Sequence, residues 1–328
     1  DHRDLHSFPT RRSSDLLHPL LYPFHKTYPH KLWSKYRWFQ NSRLPFLLQS
    51  LNERKKWLTV IDRLGAPGDS IITANVIRCI KEQYPELRIN CITPHPELIL
   101  LDPNIDSINQ PETFYSFDST YWELIVRKEE KQNIIEHNMQ RLGIQKYDYK
   151  AVYYLSEEEK DWAKQETIQF EKPILAICTK SKEPVKNWPE ANWLDLIQNL
   201  KAKFSIIQLG DSREPTFKCV HRYAGKLSMR ESAAILSYAS YFIGPDSLLM
   251  HIANGLNIPS TIIFGGSRPV NCFGYADNIN LSITLDCSPC WIHHGYDECQ
   301  NDLKCLNQIS VSQVLKSFNP DIAINSYE

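Results

Sequence analysis

The stretch from Trp57 to Ser70, Trp-Leu-Thr-Val-Ile-Asp-Arg-Leu-Gly-Ala-Pro-Gly-Asp-Ser, decides the fold. Its first six residues form a short apolar run bounded by charged residues, which is typical of a buried parallel strand. A Gly-containing turn follows, and the pattern then predicts a helix over residues 70–84. Residues 87–93 are predicted as a second strand and residues 105–108 as a weak third. This β-α-β beginning predicts a parallel sheet with right-handed crossovers.

The second half of the chain repeats this alternation. Strands are predicted over residues 173–178, 205–209, 241–243 and 260–264. Helices are predicted over residues 157–170, 188–204, 229–239, 247–256 and 310–318, and the charged residues 114–150 are predicted to be mainly helical. The expected fold class is therefore α/β, with two Rossmann-like domains facing a cleft at the carboxyl ends of their strands. We place an abbreviated N-terminal domain at residues 57–155 and a C-terminal domain at residues 156–328.

Length and composition exclude several classes of protein. A chain of 328 residues with 42% hydrophobic and 23% charged residues is globular rather than disordered or fibrous. Its longest apolar runs, such as residues 238–243 and 259–264, fall far short of the roughly 20 residues that a membrane-spanning helix needs. A formal net charge of −1 gives no global sign of a nucleic-acid partner. Nine cysteines are too few for a disulfide scaffold of this length, so we expect a cytoplasmic protein.

The N-terminal segment needs separate treatment. Residues 1–16 look like the translation of a sequencing-adapter oligonucleotide, and we interpret them as an assembly artefact that carries no information about the fold. Residues 17–56 are aromatic and basic, with Glu53 as their one acid. Such an arm could dock peripherally on the anionic inner face of the cytoplasmic membrane. The alternative is an amphipathic arm that packs on the first domain with its cations in solvent.

Three polar, turn-rich loops follow predicted strands. In the first, Arg63 to Asp69, Gly65 and Gly68 permit a tight turn, and Asp69 and Ser70 stand at the helix start, where backbone amides attract an anion. Asp69 could equally serve only as a helix N-cap. The turn has neither the G-x-G-x-x-G spacing of a dinucleotide site nor the lysine of a Walker loop.

The other two loops belong to the second half. The segment Ser181-Lys-Glu-Pro-Val-Lys-Asn-Trp-Pro-Glu190 places Lys186 where it could pair with a phosphate, although a solvated loop lysine is the commoner case. The segment Gly244-Pro-Asp-Ser-Leu-Leu-Met-His251 places an Asp-Ser pair at a helix start and a histidine about one turn further along. Together, the three loops favour a cleft that binds a diphosphate.

These motifs resemble those of glycosyltransferase family 9, the heptosyltransferase family, in which they occur in the same order. The similarity extends from about Trp57 to the C-terminus. It rests on Arg63 to Asp69, Lys186-Asn-Trp-Pro, Gly210-Asp-Ser-Arg-Glu214 and Gly244-Pro-Asp-Ser-x-x-Met-His251. The resemblance implies a GT-B type fold, with a nucleotide-sugar donor in the second half and the acceptor in the first.

The resemblance also implies roles for the matching residues. Asp69 would be the general base that deprotonates the acceptor hydroxyl, Lys186 would neutralise the leaving diphosphate, and Glu214 would accept hydrogen bonds from the donor ribose. The expected donor-binding side chains are Ser181, Lys186, Glu214, Asp246, Ser247 and His251. The expected loop backbone at the ligand comprises Gly65, Gly68, Ser70 and Gly244. Such an inverting transfer from an ADP-heptose-like donor requires no metal or other cofactor.

Two departures from the family pattern leave other functions open. Leu248 stands where the family usually has Gly, so its side chain would crowd the donor phosphates, and the first domain is short. The leading function is transfer of heptose or a similar sugar from an ADP-linked donor to lipopolysaccharide or another cell-surface glycan. The alternatives are a non-catalytic nucleotide-sugar-binding relative, a protein-modifying heptosyltransferase and a nucleotide-sugar epimerase.

Four cysteines lie in one loop-rich stretch, residues 287–305, which also contains His293 and His294. They are Cys287, Cys290, Cys299 and Cys305. The favoured interpretation is free or disulfide-forming thiols, because the second pair is spaced more widely than in a zinc ribbon. The alternative is a structural metal site, because a C-x-x-C pair followed by two further cysteines can hold zinc or iron through thiolates.

Overall fold

A computed structural model describes residues 56–113, 115–291 and 299–317. The adapter-like residues 1–16 and almost all of the basic arm, residues 17–55, lie outside the described residues. The predictions made for these segments therefore remain predictions.

The first half forms a four-stranded parallel sheet in the order β3-β2-β1-β4. Its strands are β1 (Trp57–Asp62), β2 (Arg88–Ile92), β3 (Ser107–Ile108) and β4 (Tyr115–Ser119). Its helices are α1 (Pro67–Gln83), between β1 and β2, and α2 (Trp122–Arg127) and α3 (Ile134–Leu142), after β4. The chain order reverses between β1 and β4, which is the topological switch point where such sheets place ligands.

The second half forms a six-stranded parallel sheet in the order β10-β9-β8-β5-β6-β7. Its strands are β5 (Ile174–Ile177), β6 (Ser205–Gln208), β7 (His221–Arg222), β8 (Tyr241–Pro245), β9 (Ser260–Ile263) and β10 (Ile279–Leu281). Its helices are α4 (Glu157–Thr167), α5 (Glu190–Leu200), α6 (Met229–Leu236), α7 (Leu248–Gly255), α8 (Val270–Phe273), α9 (Lys304–Asn307) and α10 (Val311–Ser317). This is the doubly wound order of a complete Rossmann sheet, with its switch point between β5 and β8.

The two halves share a hydrophobic core. The central strands are buried, as continuous apolar runs in parallel sheets require, and helix α1 of the first half packs against α7 of the second. Tyr149 stacks on Tyr275 with ring centroids 4.6 Å apart, and its hydroxyl donates to the carbonyl of Phe273. The structure thus confirms the predicted α/β class with two Rossmann-like units. The domain boundary near residue 155 remains our proposal.

Several element boundaries differ from those predicted. Strand β4 was not predicted, because Tyr-Ser-Phe-Asp-Ser alternates polar residues within a charged region that we interpreted as helical. The short edge strands β7 and β10 were also missed. Helix α1 begins at Pro67, three residues before the predicted start, because proline is favoured in the first helical turn.

Candidate functional site

Asp69 stands in the first turn of α1 and points towards the second half. The helix N-cap is Ala66, and the Oδ2 atom of Asp69 accepts the Ala66 N–H at 3.0 Å. The reciprocal bond from the Asp69 N–H to the Ala66 carbonyl measures 2.9 Å. Asp69 is therefore not the N-cap itself. It is a carboxylate at the positive end of a helix dipole, bound to the cap by hydrogen bonds.

The surroundings of Asp69 raise the pKa of its carboxyl group. Its side chain is almost fully buried, and its Oδ1 atom accepts a hydrogen bond from the Tyr121 hydroxyl at 2.8 Å. Burial and, to a smaller extent, the nearby Asp62 carboxylate raise the pKa of Asp69 to about 7. The hydrogen bonds from Tyr121 and Ala66 and the charge of Arg268 oppose this shift. A carboxylate with a pKa near neutrality suits general base catalysis.

Asp62, at the carboxyl end of β1, is a second buried acid that the sequence analysis did not single out. Its Oδ1 atom accepts the Gly65 N–H at 2.9 Å, and its Oδ2 atom accepts the hydroxyls of Ser70 at 2.9 Å and Thr93 at 3.1 Å. These bonds fix the turn that carries Asp69. Burial raises the pKa of Asp62 above its ordinary value, against the opposing effect of its hydrogen bonds.

Four charged side chains from the second half lie across from Asp69 in an alternating chain. Lys186 Nζ lies 3.0 Å from Asp246 Oδ2 and 3.7 Å from Glu183 Oε2. Glu183 Oε1 in turn lies 4.0 Å from an Arg268 guanidinium nitrogen. All four side chains are nearly buried, with exposed fractions between 3% and 13%. The predicted Lys186 and Asp246 thus form an ion pair, and Glu183 and Arg268 join them.

His251 closes the site from helix α7. Its Nδ1 atom shares a hydrogen bond of 2.7 Å with the Tyr275 hydroxyl. Its ring packs against Gly68 of α1, where a Cβ atom would lie 3.0 Å from Cδ2 and 3.2 Å from Nε2. Burial lowers the pKa of His251 to about 4, so the ring is neutral at physiological pH. The first turn of α1 and helix α7 therefore meet at this contact.

Glu214 lies buried in the second half, where its carboxylate accepts several hydrogen bonds from the protein. Its carboxylate accepts the N–H groups of Thr179 and Lys180, the Thr179 hydroxyl at 2.5 Å and the Gln208 amide at 2.9 Å. It is only 4% exposed. The expected role of Glu214 at the donor ribose stays a prediction. In this structure Glu214 fastens the loop after β5 to β6.

Three nearby residues of the second half are less buried than Glu214, namely Ser181, Ser247 and Leu248. The Ser181 N–H donates to Asn187 Oδ1 at 2.6 Å, and its hydroxyl accepts the Glu183 N–H at 3.2 Å. Ser247 is the N-cap of α7, although its side chain makes no capping hydrogen bond. Leu248, the first residue of α7, is half-buried and packs on the shared core. Its side chain therefore has a packing role as well as a place near the site.

Three of the four positions expected to form loop backbone lie in a helix or a strand instead, namely Gly68, Ser70 and Gly244. Ser70 lies inside α1, fully buried, with its hydroxyl bonded to Asp62. Gly244 lies within β8, where a Cβ atom would come within 2.5 Å of the Phe242 ring, so this glycine serves core packing. Gly65 does occupy the turn, with a φ of 73° that favours glycine.

A metal site at the four cysteines finds no support in the described part of the chain. Across residues 56–113, 115–291 and 299–317, no group of three or more His, Cys, Asp or Glu side chains is placed to hold a metal ion. Cys305 Sγ accepts the Gly266 N–H at 3.0 Å, and the Cys290 N–H donates to the Gly266 carbonyl at 2.8 Å. Cys287, Cys299 and Cys305 carry free thiols. His293 and His294 lie outside the described residues.

The structure brings together Asp69, Lys186, Asp246 and His251, which come from loops far apart in the sequence. It adds Asp62, Tyr121, Arg268 and Tyr275, which the sequence analysis missed. Tyr121 follows the unpredicted strand β4, and Arg268 follows β9 in a Gly-Gly-Ser-Arg-Pro turn that carried a recognisable loop signal. Among the helices that the structure describes, none is long and apolar enough to cross a bilayer.

Comparison with known proteins matches the sequence of this chain to one family. The sequence model of glycosyltransferase family 9 (heptosyltransferase) matches residues 120–295, which is more than half of the chain. Lipooligosaccharide heptosyltransferase 2 of Haemophilus influenzae is 26% identical over 126 residues, 34% of this chain and 36% of that protein. The autotransporter heptosyltransferase Aah of Escherichia coli is 25% identical over 170 residues, 44% of this chain and 43% of that protein. The chain thus spans less than half the length of these curated relatives.

A solved structure shares the fold over a longer stretch. The bacterial iron-containing dodecameric glycosyltransferase TibC from enterotoxigenic E. coli superposes with a TM-score of 0.65 at 18% identity, covering 83% of this chain and 77% of that chain. A structure of TibC in complex with ADP-D-β-D-heptose superposes with a TM-score of 0.62. At this level of identity the similarity establishes the fold alone.

Proposed function

The chain belongs to glycosyltransferase family 9, the heptosyltransferase family, and from that premise we propose that it transfers a heptose or a similar sugar from an ADP-linked donor to an acceptor hydroxyl. The observation that carries this proposal is the closeness of Asp69 to residues of the second half: its neighbour Gly68 packs against the His251 ring, and the Arg268 charge acts on the Asp69 carboxyl. Asp69 is a buried carboxylate of the first half with a pKa of about 7, and the cations Lys186 and Arg268 belong to the second half. An inverting sugar transfer needs a base at the acceptor oxygen and charge stabilisation at the leaving phosphate.

The proposed reaction assigns each side of the site one task. Asp69 takes the proton of the acceptor hydroxyl, whose oxygen attacks the anomeric carbon of the donor sugar. The bond between that carbon and the diphosphate oxygen breaks, and ADP leaves with the electron pair. Lys186 and the N-terminal amides of α7 neutralise the charge that develops on the diphosphate. No step passes through a metal ion.

His251 and Tyr121 support this chemistry by position. The neutral His251 ring, held by Tyr275, can donate or accept one hydrogen bond at the sugar without adding charge. The Tyr121 hydroxyl holds the Asp69 carboxylate in one orientation. We assign Ser181 and Ser247 to the rim of the donor site, where their hydroxyls would bind the nucleotide diphosphate.

We propose a cell-surface glycan such as lipopolysaccharide as the acceptor, in line with the lipooligosaccharide enzyme that the chain resembles. A protein acceptor is the second candidate, because the chain also resembles an autotransporter heptosyltransferase. Peripheral membrane contact through residues 17–56 would suit the first acceptor. Incubation with ADP-heptose and either the lipid-linked core glycan or an autotransporter passenger domain, followed by mass spectrometry, decides between the two.

The test of the transferase itself uses Asp69→Asn. We expect this variant to bind ADP as the wild type does but to transfer sugar at least about a hundredfold more slowly, because it lacks the base. Calorimetric titration with ADP, UDP and GDP measures donor recognition separately from turnover. Sugar transfer at the wild-type rate by Asp69→Asn would overturn the assignment of the base. A wild-type protein that binds no nucleoside diphosphate would overturn the transferase proposal.

A further inference from the structure

Glu183 stands between two cations that the proposed chemistry assigns to a diphosphate. Its Oε2 atom lies 3.7 Å from Lys186 Nζ, and its Oε1 atom lies 4.0 Å from an Arg268 guanidinium nitrogen. Both distances exceed that of a hydrogen bond, so these ion pairs are looser than the 3.0 Å pair between Lys186 and Asp246. One carboxylate therefore neutralises two buried cations without fixing either of them tightly.

The charge of this cluster limits what it can bind. The formal charges of the cluster sum to zero, and all four of its side chains are nearly buried. The four residues are Lys186, Arg268, Glu183 and Asp246. A nucleoside diphosphate sugar carries about two negative charges on its phosphates, and an uncompensated charge is costly in a buried site. A diphosphate at Lys186 would therefore bind more tightly if one of the carboxylates moved away, even with the N-terminal amides of α7 sharing its charge. Glu183 is the weaker partner, and it lies in the loop that leads into the short helical turn Pro184–Lys186.

Arg268 is placed to reach both halves of the site. Its guanidinium lies 5.0 Å from the centre of the Phe273 ring and 6.0 Å from that of Tyr121, the residue that binds Asp69. It is 97% buried, which is unusual for an arginine unless it meets an anion. A guanidinium also matches the geometry of phosphate oxygens better than an ammonium group does.

We propose that Arg268 is a second diphosphate-binding cation beside Lys186, and that Glu183 competes with the donor diphosphate for both cations. This inference rests on the proposed transferase function. It makes Glu183 a residue that weakens donor binding, since its carboxylate occupies the positions that phosphate oxygens would take. Release of ADP after transfer is then assisted by the return of Glu183 to Lys186 and Arg268.

The experiment compares the binding of ADP and adenosine, by calorimetry on the full chain, in single variants. We expect Glu183→Gln to bind ADP about three- to tenfold more tightly than the wild type, and Arg268→Gln to bind it at least about tenfold more weakly. The affinity for adenosine, which lacks the diphosphate, should change in neither. Glu190→Gln is the matched control, because Glu190 is an exposed partner of Lys180 in the same segment and its loss should leave ADP binding unchanged.

The outcomes separate this inference from the function on which it rests. If the wild type binds ADP but Glu183→Gln binds it equally or more weakly, the competition is refuted while the transferase proposal stands. If Arg268→Gln loses its fold, Arg268→Lys replaces it, and we expect a smaller loss of ADP affinity with adenosine binding intact. Unchanged ADP binding in Arg268→Lys, or an equal loss for adenosine, overturns the role of Arg268. If the wild type binds neither ADP nor another nucleoside diphosphate, the proposed transferase function itself is overturned.

Discussion

Two neighbours act on the Asp69 carboxylate in opposite directions. The Asp62 carboxylate raises the pKa of Asp69 by like-charge repulsion, and the Tyr121 hydroxyl lowers it by donating a hydrogen bond to the charged form. Burial is the largest influence and favours the neutral acid. The proton affinity of this one side chain is therefore set by residues from four segments: β1, the start of α1, the turn after β4 and the turn after β9 that carries Arg268.

Because these two effects are opposite, we expect the pH profile of sugar transfer to shift in opposite directions in two conservative variants. Asp69 must be deprotonated to act, so the acid limb of kcat/KM should fall near pH 7 in the wild type. Asp62→Asn removes the repulsion and should move that limb to lower pH. Tyr121→Phe removes the hydrogen bond and should move it to higher pH, so that at pH 6 its transfer is roughly two- to fivefold slower than that of the wild type. Sugar transfer measured from pH 5 to 9 checks this, and a shift in the same direction in both variants contradicts it.

The site could be predicted from sequence only where a residue lies in a strand-to-helix loop. Lys186, Asp246 and His251 follow strands whose carboxyl ends meet at one edge of a parallel sheet, so topology alone brings them near one another. Tyr275 enters the site through contacts between the two halves, which no local pattern encodes, whereas Arg268 lies in a loop after β9 whose signal the sequence analysis did not use. Ser70 was assigned to loop backbone because the helix was predicted to start there, three residues too late.

Among the elements, the loop after β5 is bound to β6 by one carboxylate. Glu214 binds the loop after β5 through Thr179 and Lys180, and it binds β6 through Gln208. Secondary-structure patterns in the sequence predicted both strands within two residues. They could not predict this bond, because Glu214 follows β6 by only a short turn and its partners lie on the neighbouring strand.

Replacement of Glu214 should therefore cost stability before it costs ligand binding. Glu214→Ala leaves several buried donors without an acceptor, and we expect the free energy of unfolding to fall by about 2–4 kcal/mol. Glu214→Gln keeps one acceptor oxygen and should cost about half as much. Denaturant unfolding gives both values. A Glu214→Gln variant of wild-type stability that has lost affinity for adenosine would instead support the ribose role expected of this residue.

At the scale of the whole molecule, Arg230 of α6 ties the second half to the first. Its guanidinium binds both carboxylate oxygens of Glu159 at 2.5 Å, and it donates to the carbonyls of Glu97 at 2.9 Å and Tyr154 at 3.1 Å. Glu97 belongs to the first half, and Tyr154 lies in the segment that connects the two halves. One buried side chain thus joins three parts of the chain.

We expect Arg230→Ala to lower the free energy of unfolding by about 2–4 kcal/mol, because it removes a largely buried ion pair and leaves two carbonyls without their donor. Arg213→Ala is the matched control. Arg213 pairs with Asp211 on the exposed surface of one half, so its loss should stay within about 0.5 kcal/mol. Denaturant unfolding of both variants checks the prediction, and equal losses would show that Arg230 is no more than a surface cation.

The packing of Gly68 against His251 gives the experimenter a means of setting the distance between the two halves. A single methyl group at position 68 would come within 3.0 Å of the histidine ring, which Tyr275 holds in place. A bulkier side chain there could be accommodated only if α1 and α7 moved apart. A graded series of residues at position 68 would therefore act as spacers of increasing thickness, each fixing a wider cleft without altering any charged group of the site. Such spacers would allow substrate capture to be studied apart from turnover.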